Sequence, residues 1–255
     1  LYCNEKLKRP MKTLVIIPSR LSATRLPGKP LLKINGLSII SHVFKRAEEA
    51  NIGEVLVATE DQEILDDVKK NGGRAILTKN HHKTGTDRIY EALKNIDSSD
   101  IDLVMNLQGD EPLMNTSDIR NLNNQMIQNN SQLGTLASKI LNKKIYQDQN
   151  TVKVITKDGL NNSNFLEAIN FKRRILKESQ NIYHHLGIYC YQKEVLKKFV
   201  SLRQSSNEIK NKLEQLRALD NNIKINVALA KSSPIGVDTE EDLIAIKKIM
   251  EYKSQ

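Results

Sequence analysis

The sequence predicts an α/β fold, an open, mixed, mostly parallel sheet with helices on both faces. Short β-branched runs alternate with segments of helical period through the first half of the chain, as parallel strands joined by helical crossovers require. Capping side chains and glycines stand where those helices should begin and end. At 255 residues the chain is long enough to bury one substantial core.

Thr13 to Ile17 reads as a buried strand and Ser38 to Glu49 as the helix that follows it. The pairing repeats three times: Glu54 to Ala58 with Gln62 to Lys70, Arg74 to Leu77 with Thr86 to Lys94, and Leu103 to Leu107 with Ser117 to Gln128. Ser38, Thr59 or Asp61, and Ser117 are candidate N-caps, and Asn71-Gly72-Gly73 is a C-terminal glycine signal. Beyond residue 130 the rhythm changes to strand-like Leu133 to Ile140, Val152 to Thr156 and Tyr183 to Tyr191, with helices at Lys193 to Val200 and Glu208 to Leu219. A last strand, Ile223 to Ala230, leads into a terminal helix begun by Asp238-Thr239-Glu240-Glu241-Asp242, where Thr239 and Asp242 approximate a capping box. No repeat or low-complexity linker separates the halves, so they should share one cleft.

Composition narrows the function. The formal charge of +9 invites a nucleic-acid reading. Lysines are scattered through nearly every segment, aromatics are few, and no helix-turn-helix or zinc-finger spacing is present, so no nucleic-acid partner is expected. No apolar run approaches the ~18 residues that cross a bilayer, and Leu1 to Pro10 has no hydrophobic segment behind its charges, which together predict a cytoplasmic protein. Cys3 and Cys190 lack metal-ligand spacing and read as buried or bystander thiols. Met11 resembles a natural start, which makes residues 1–11 an N-terminal extension.

The richest segment follows the first strand: Ile17 to Leu32 packs Arg20, Arg25 and Lys29 into one short loop. Three crowded cations repel one another unless an anion sits among them. Ser19, Ser22 and Thr24 add hydroxyl donors, Gly28 permits positive φ, and Pro18, Pro27 and Pro30 restrict the loop before anything binds. A triphosphate clamp at the carboxyl end of a strand fits this pattern; a solvated basic turn is the plainer alternative. The spacing matches neither a P-loop nor a Gly-x-Gly-x-x-Gly turn.

Gln108-Gly109-Asp110-Glu111-Pro112 ends the strand from Leu103, placing a carboxylate pair at the same sheet edge. Asp110 is the first candidate for Mg²⁺, and since that ion takes only one or two protein carboxylates, Asp238 is the second. A turn role for Glu111 and a helix-cap role for Asp238 are the structural alternatives. Thr84-Gly85-Thr86-Asp87-Arg88 sets a glycine between hydroxyls at a helix start, open to a flat base, with Arg88 able to reach base or phosphate; otherwise it is a capped helix. His81 and His82 lack an i, i+4 ligand partner and read as solvated loop histidines.

These motifs resemble the CMP-sugar synthetases, and within them the 3-deoxy-manno-octulosonate (Kdo) cytidylyltransferase family. Thr24 to Leu31 match its Thr-Arg-Leu-Pro-Gly-Lys-Pro-Leu without a break, with departures at Ser19, Leu21 and Ser22-Ala23. Gln108 to Pro112, Gly236-Val237-Asp238-Thr239, Thr84 to Arg88, His185-Leu186-Gly187-Ile188-Tyr189 and Leu213-Glu214-Gln215-Leu216-Arg217 follow its other motifs, and the resemblance spans about residues 12–250. It weakens between Tyr146 and Ile175, where Asp148 to Val154 lacks the family's proline and Lys172 replaces a serine before Arg173.

The resemblance implies a Rossmann-like nucleotidyltransferase fold with a smaller acceptor and dimerisation subdomain. One domain over 12–250 would divide into a nucleotide half, about 12–130 with 223–250, and an acceptor and dimer region, about 131–222. It implies transfer of a cytidylyl group from CTP to Kdo for lipopolysaccharide biosynthesis, with Mg²⁺ on Asp110 and Asp238, in a homodimer. Lys29, Arg20 and Asp110 would be catalytic. Arg20, Ser22, Arg25, Lys29, Thr84, Gly85, Thr86, Arg88 and Gln108 would bind the nucleotide, and Arg173, His185, Glu214 and Gln215 the sugar acid. For His185 a satisfied structural histidine, and for Glu214 and Gln215 an ordinary amphipathic helix, are the alternatives. Two further functions stay open: CMP transfer to another ulosonic or nonulosonic acid, and noncatalytic nucleotide or RNA binding.

Overall fold

The structure, a computed structural model, describes residues 9–22, 25–176 and 179–252; Cys3 and Thr24 lie outside the described residues. In chain order its first half runs β1 (Thr13–Ser19), the hairpin β2 (Lys33–Ile34) and β3 (Leu37–Ser38), α1 (Ile39–Ala50), β4 (Gly53–Thr59), α2 (Gln62–Lys70), β5 (Ala75–Leu77), α3 (Gly85–Lys94), β6 (Leu103–Asn106) and α4 (Thr116–Asn129). The second half holds β7 (Leu133–Ser138), β8 (Lys153–Thr156), β9 (Phe165–Lys172), β10 (Ile182–Gln192), α5 (Lys193–Ser201), α6 (Ser206–Asn211), α7 (Leu216–Asp220), β11 (Ile225–Leu229) and α8 (Glu240–Tyr252).

Nine strands form one sheet in the order β5-β4-β1-β6-β10-β7-β11-β9-β8, and β10 also pairs with β8. The β5-β4-β1-β6 half is wholly parallel. Chain order reverses beside β1, whose neighbours are β4 and the later β6, so a crevice opens beyond the carboxyl ends of β1 and β6. Over the whole sheet the expectation of mostly parallel pairing needs correction, because in the other half only β7–β11 is parallel. Parallel neighbours need a crossover of about a dozen residues or more, and among the described residues no helix intervenes between β8, β9 and β10.

Strand alternation divides the core between the two faces. Leu14 and Ile16 pack with Ile89 and Leu93 of α3 and Phe199 of α5, while Val15 and Ile17 pack with Phe44 of α1, Val68 of α2 and Leu122 of α4. Each such aliphatic side chain contributes about 1.5–3 kcal/mol on burial. Arg9 grips Asp102 through two bonds of 2.7 and 3.0 Å, and Met11 packs against the second core. Cys190 is buried on β10, where burial raises its thiol pKa. No described helix is long and apolar enough to cross a membrane.

Three local expectations change. The N-cap of α4 is Asn115, two residues before Ser117, whose backbone and hydroxyl both donate to the Asn115 side chain. Strand β9 was not anticipated; of its residues only Ala168 and Phe171 are buried, which leaves no two-residue apolar rhythm to read. The single helix expected over 208–219 is two, α6 and α7, because Lys212 takes a left-handed φ of 53° and ends the first.

Candidate functional site

The basic loop is shaped by its own residues. Gly28 adopts φ 67°, a conformation that strains residues with a Cβ, and Lys29–Leu31 follow as a 3₁₀ turn with Pro30 near its start. Gly28 N donates to the Leu21 carbonyl at 3.3 Å, and Leu21 N donates to Asp61 Oδ2 at 2.7 Å. Asp61 therefore spends its carboxylate on the loop, although it also stands at the N-cap of α2, where it makes no cap bond.

The loop borders a cavity of about 400 Å³ at the expected crevice. Arg20, Ser22, Arg25 and Lys29 line one side, with Thr84, Gly85 and Arg88 on another. Gln108, Asp110 and Asp238 complete the wall. Ser19 Oγ, on the same wall, is buried without a hydrogen-bond partner. Of the expected nucleotide residues only Thr86 lies off the lining.

The two aspartates meet because Val237 N donates to the Asp110 carbonyl at 2.9 Å, stitching their loops together. Lys29 Nζ sits between the carboxylates, 2.8 Å from Asp110 Oδ2 and 3.2 Å from Asp238 Oδ1. Arg25 Nη2 lies 3.0 Å from Asp238 Oδ2. Capping at this end falls to Thr239, whose Oγ1 accepts from Asp242 N at 3.2 Å while Asp242 accepts from Thr239 N at 3.0 Å. The Asp238 carboxylate is thus left for the cations. Glu111 Oε2 is buried without a partner, and burial, then the charges of Asp110 and Asp238, push this carboxyl up to about 8.

Thr84 caps α3 by accepting from Asp87 N at 3.1 Å. Arg88 is buried, and its guanidinium donates to Thr78 Oγ1 at 2.6 Å, to the Lys79 carbonyl at 3.4 Å and to Glu60. That bracing joins the ends of β4 and β5 to α3. His82 is a correction: instead of being solvated, it is largely covered and paired with Glu91, which also accepts from Lys79 N at 3.2 Å. Neither Glu60 nor Glu91 carried a motif by which sequence reading could have found it.

The expected sugar-acid residues stand outside this cavity's lining. His185 is buried, with Nε2 3.0 Å from Thr135 Oγ1. That hydroxyl donates to the Ile188 carbonyl at 2.7 Å, so it receives the imidazole N–H. Burial, then His184, hold the His185 pKa down to about 3, which keeps the ring neutral. The same contacts pin an irregularity in β10 between Leu186 and Tyr189, the kind of bulge that re-aims side chains beside a site. Tyr189, which had no assigned role, places its ring 5.4 Å from His185.

Thr86 Oγ1 donates to Glu214 Oε2 at 2.7 Å, joining this cluster to the turn at α3. Gln215 is buried beside it at the start of α7. Arg173 donates to the carbonyls of Gln149, Asn211 and Lys212 at 3.0, 3.1 and 3.0 Å. The latter two lie where α6 ends, so Arg173 satisfies carbonyls that the helix leaves open.

The cytidylyltransferase family model matches residues 14–225. A 3-deoxy-manno-octulosonate cytidylyltransferase of Rhodopseudomonas palustris is 42% identical over 243 residues, covering 94% of this chain and 98% of that protein. Its counterpart in Bartonella tribocorum is 39% identical over 242 residues, covering 94% and 99%. Among solved structures, a CMP:2-keto-3-deoxy-manno-octonic acid synthetase in complex with CTP superposes with a TM-score of 0.86 at 34% identity, covering 95% of this chain and 99% of that one. A 4-diphosphocytidyl-2C-methyl-D-erythritol synthase of Anaerococcus prevotii, 13% identical with a TM-score of 0.63 over 94% and 99% of the two chains, shares the fold.

Proposed function

The chain belongs to the cytidylyltransferase family, and from that membership we propose that it transfers a cytidylyl group from CTP to the anomeric hydroxyl of Kdo, releasing pyrophosphate. The anomeric oxygen bonds to the α-phosphorus as the bond from that phosphorus to the β-phosphate oxygen breaks. The electron pair of that bond leaves with pyrophosphate, and the hydroxyl proton is released. The protein's part in such an in-line displacement is position and charge.

The observation that carries this reading is Lys29, whose ammonium faces the cavity between two carboxylates. With Arg20 and Arg25, it holds the triphosphate and stabilises the charge that develops on pyrophosphate. The donor set fits Mg²⁺, since carboxylates from two separate loops converge on the Lys29 ammonium at the cavity wall, and that ion takes one or two protein carboxylates and completes its shell with waters and phosphate oxygens. Asp110 and Asp238 would hold it. When bound, it withdraws charge from the phosphate oxygens and lowers the pKa of the attacking hydroxyl. The turn from Thr84 to Arg88, with Gln108, receives the base.

His185, as a neutral group, and Glu214 with Gln215 meet the hydroxyls of the sugar acid. Arg173 uses three of its five N–H groups on carbonyls, leaving two for the acid's carboxylate. The 131–222 half also supplies a homodimer contact, a reading supported by Leu141 and Leu176, which are 92% and 91% exposed. Pyrophosphate release from CTP, with and without Mg²⁺, across Kdo and a panel of other ulosonic and nonulosonic acids tests the assignment. Turnover with Kdo is expected; none with any acid refutes the reaction, and turnover with a different acid alone refutes the acceptor.

A further inference from the structure

One buried ion pair lies beside Glu214. Arg217 and Glu208 are each 4% exposed, and the guanidinium grips both carboxylate oxygens, Nε to Oε2 at 2.8 Å and Nη2 to Oε1 at 2.6 Å. Glu208 is locked in turn by the capping box of α6, accepting from Ser205 N while Ser205 Oγ accepts from Glu208 N. The Arg217 guanidinium also lies over the Phe199 ring, 4.7 Å from its centroid. A planar fork held on both sides in this way has little freedom to reorient.

From this anchor Arg217 Nη2 reaches Glu214 Oε1 at 3.6 Å. That oxygen is buried and has no hydrogen bond, while Oε2 takes the Thr86 hydroxyl at 2.7 Å. The Glu214 carboxylate, in the turn just before α7, is therefore suspended between Arg217 of that helix and the turn that borders the nucleotide cavity. Without Arg217, one oxygen would lie in a buried place with no charge opposite.

We propose that Arg217, locked by Glu208, is a positioning residue of the sugar-acid site: it holds the Glu214 carboxylate against Thr86, so that the acceptor site forms in register with the nucleotide turn. This rests on Glu214 meeting the acceptor as described under the proposed function. The electrostatics agree. Burial raises the Glu214 pKa, the Thr86 bond, the nearby Thr84 hydroxyl and the charge of Arg217 oppose the rise, and Asp87 on α3 adds to it. Tyr189 and Tyr191 of β10 are the phenols that feel Glu214, and Glu208 of α6 stands behind Arg217. Removing Arg217 should move the Glu214 titration, and the acidic limb of kcat/KM for the sugar acid, to higher pH.

Arg217→Met alone strands Glu208 in the interior and risks the fold. The paired change Glu208→Leu with Arg217→Met removes both charges, which cores often tolerate. In that folded double variant the KM for the sugar acid should rise about tenfold, as for one lost charge-assisted contact, with the KM for CTP changed less than about threefold. A carboxyl ¹³C NMR titration should show Glu214 losing its proton at higher pH than in the unmodified protein. Arg217→Lys, which keeps the charge and loses the fork, should shift both quantities less. A sugar-acid KM like that of the unmodified protein, or an unmoved Glu214 titration, overturns the proposal. If the unmodified protein turns over no sugar acid, the functional reading fails by itself, and the titration still decides what Arg217 does to Glu214.

Discussion

Replacing Lys29 with methionine keeps the length of the side chain and removes its charge, and two consequences of very different size follow. Lys29 is 13% exposed, while its partners Asp110 and Asp238 are 32% and 42% exposed. Ion pairs with partners so accessible to water contribute about 1 kcal/mol or less each, and Asp238 keeps Arg25 at 3.0 Å. The stability loss should stay below about 2 kcal/mol, roughly 4–8 °C in Tm. A fixed donor aimed at developing charge is worth more, about 2.7–4 kcal/mol, or about 10²–10³-fold in kcat. Pyrophosphate release at 25 °C with saturating Kdo and CTP, beside a thermal melt, separates the two effects. A kcat within about threefold of the unmodified enzyme refutes the role of Lys29. So does a loss that recovers on cooling, because that would be unfolding rather than chemistry.

Asp110→Asn should abolish pyrophosphate release while the circular dichroism spectrum stays unchanged. Asp61→Ala removes the 2.7 Å anchor of the basic loop at Leu21 N, and should raise the KM for CTP about tenfold, as for one lost bond to a charged group; an unchanged KM would show that the loop holds its shape unaided. His185 is held at about 3 against an ordinary 6.5, so its contribution to stability is full above pH 6.5 and is lost as pH falls toward 3. At pH 5 the loss is about 2 kcal/mol, and melts at pH 7 and 5 should show a smaller drop for His185→Gln than for the parent. Gly53→Ala would place a Cβ 1.9 Å from the Thr13 carbonyl oxygen, where β4 starts beside β1, and should cost about 3 kcal/mol by overpacking, read as a fall in Tm.

Legibility in the sequence followed the range of the interactions. The strand Thr13–Ser19 and its basic loop could be read because a strand buried on both faces shows as an unbroken apolar run, and because proline and glycine act on their own backbone. The Thr239 and Asp242 cap was legible for the same reason, its partners being three residues apart. Strand β9 was not, since its pattern is set by neighbours it meets only after folding. Nor was the break at Lys212, whose flanking carbonyls are satisfied by Arg173, a residue 38 positions away from Asn211.

Residue order was enough to specify the local chemistry: a stiff cationic loop, carboxylates at strand and helix ends, and a hydroxyl-flanked glycine at the start of α3. Only folding brings Lys29 to Asp238 across 209 positions, sets Asp61 to serve the loop, and makes Thr86 hold Glu214. Propensity and capping act within a turn or two of the chain, whereas these meetings depend on sheet order and on single bonds between loops, such as Val237 to Asp110.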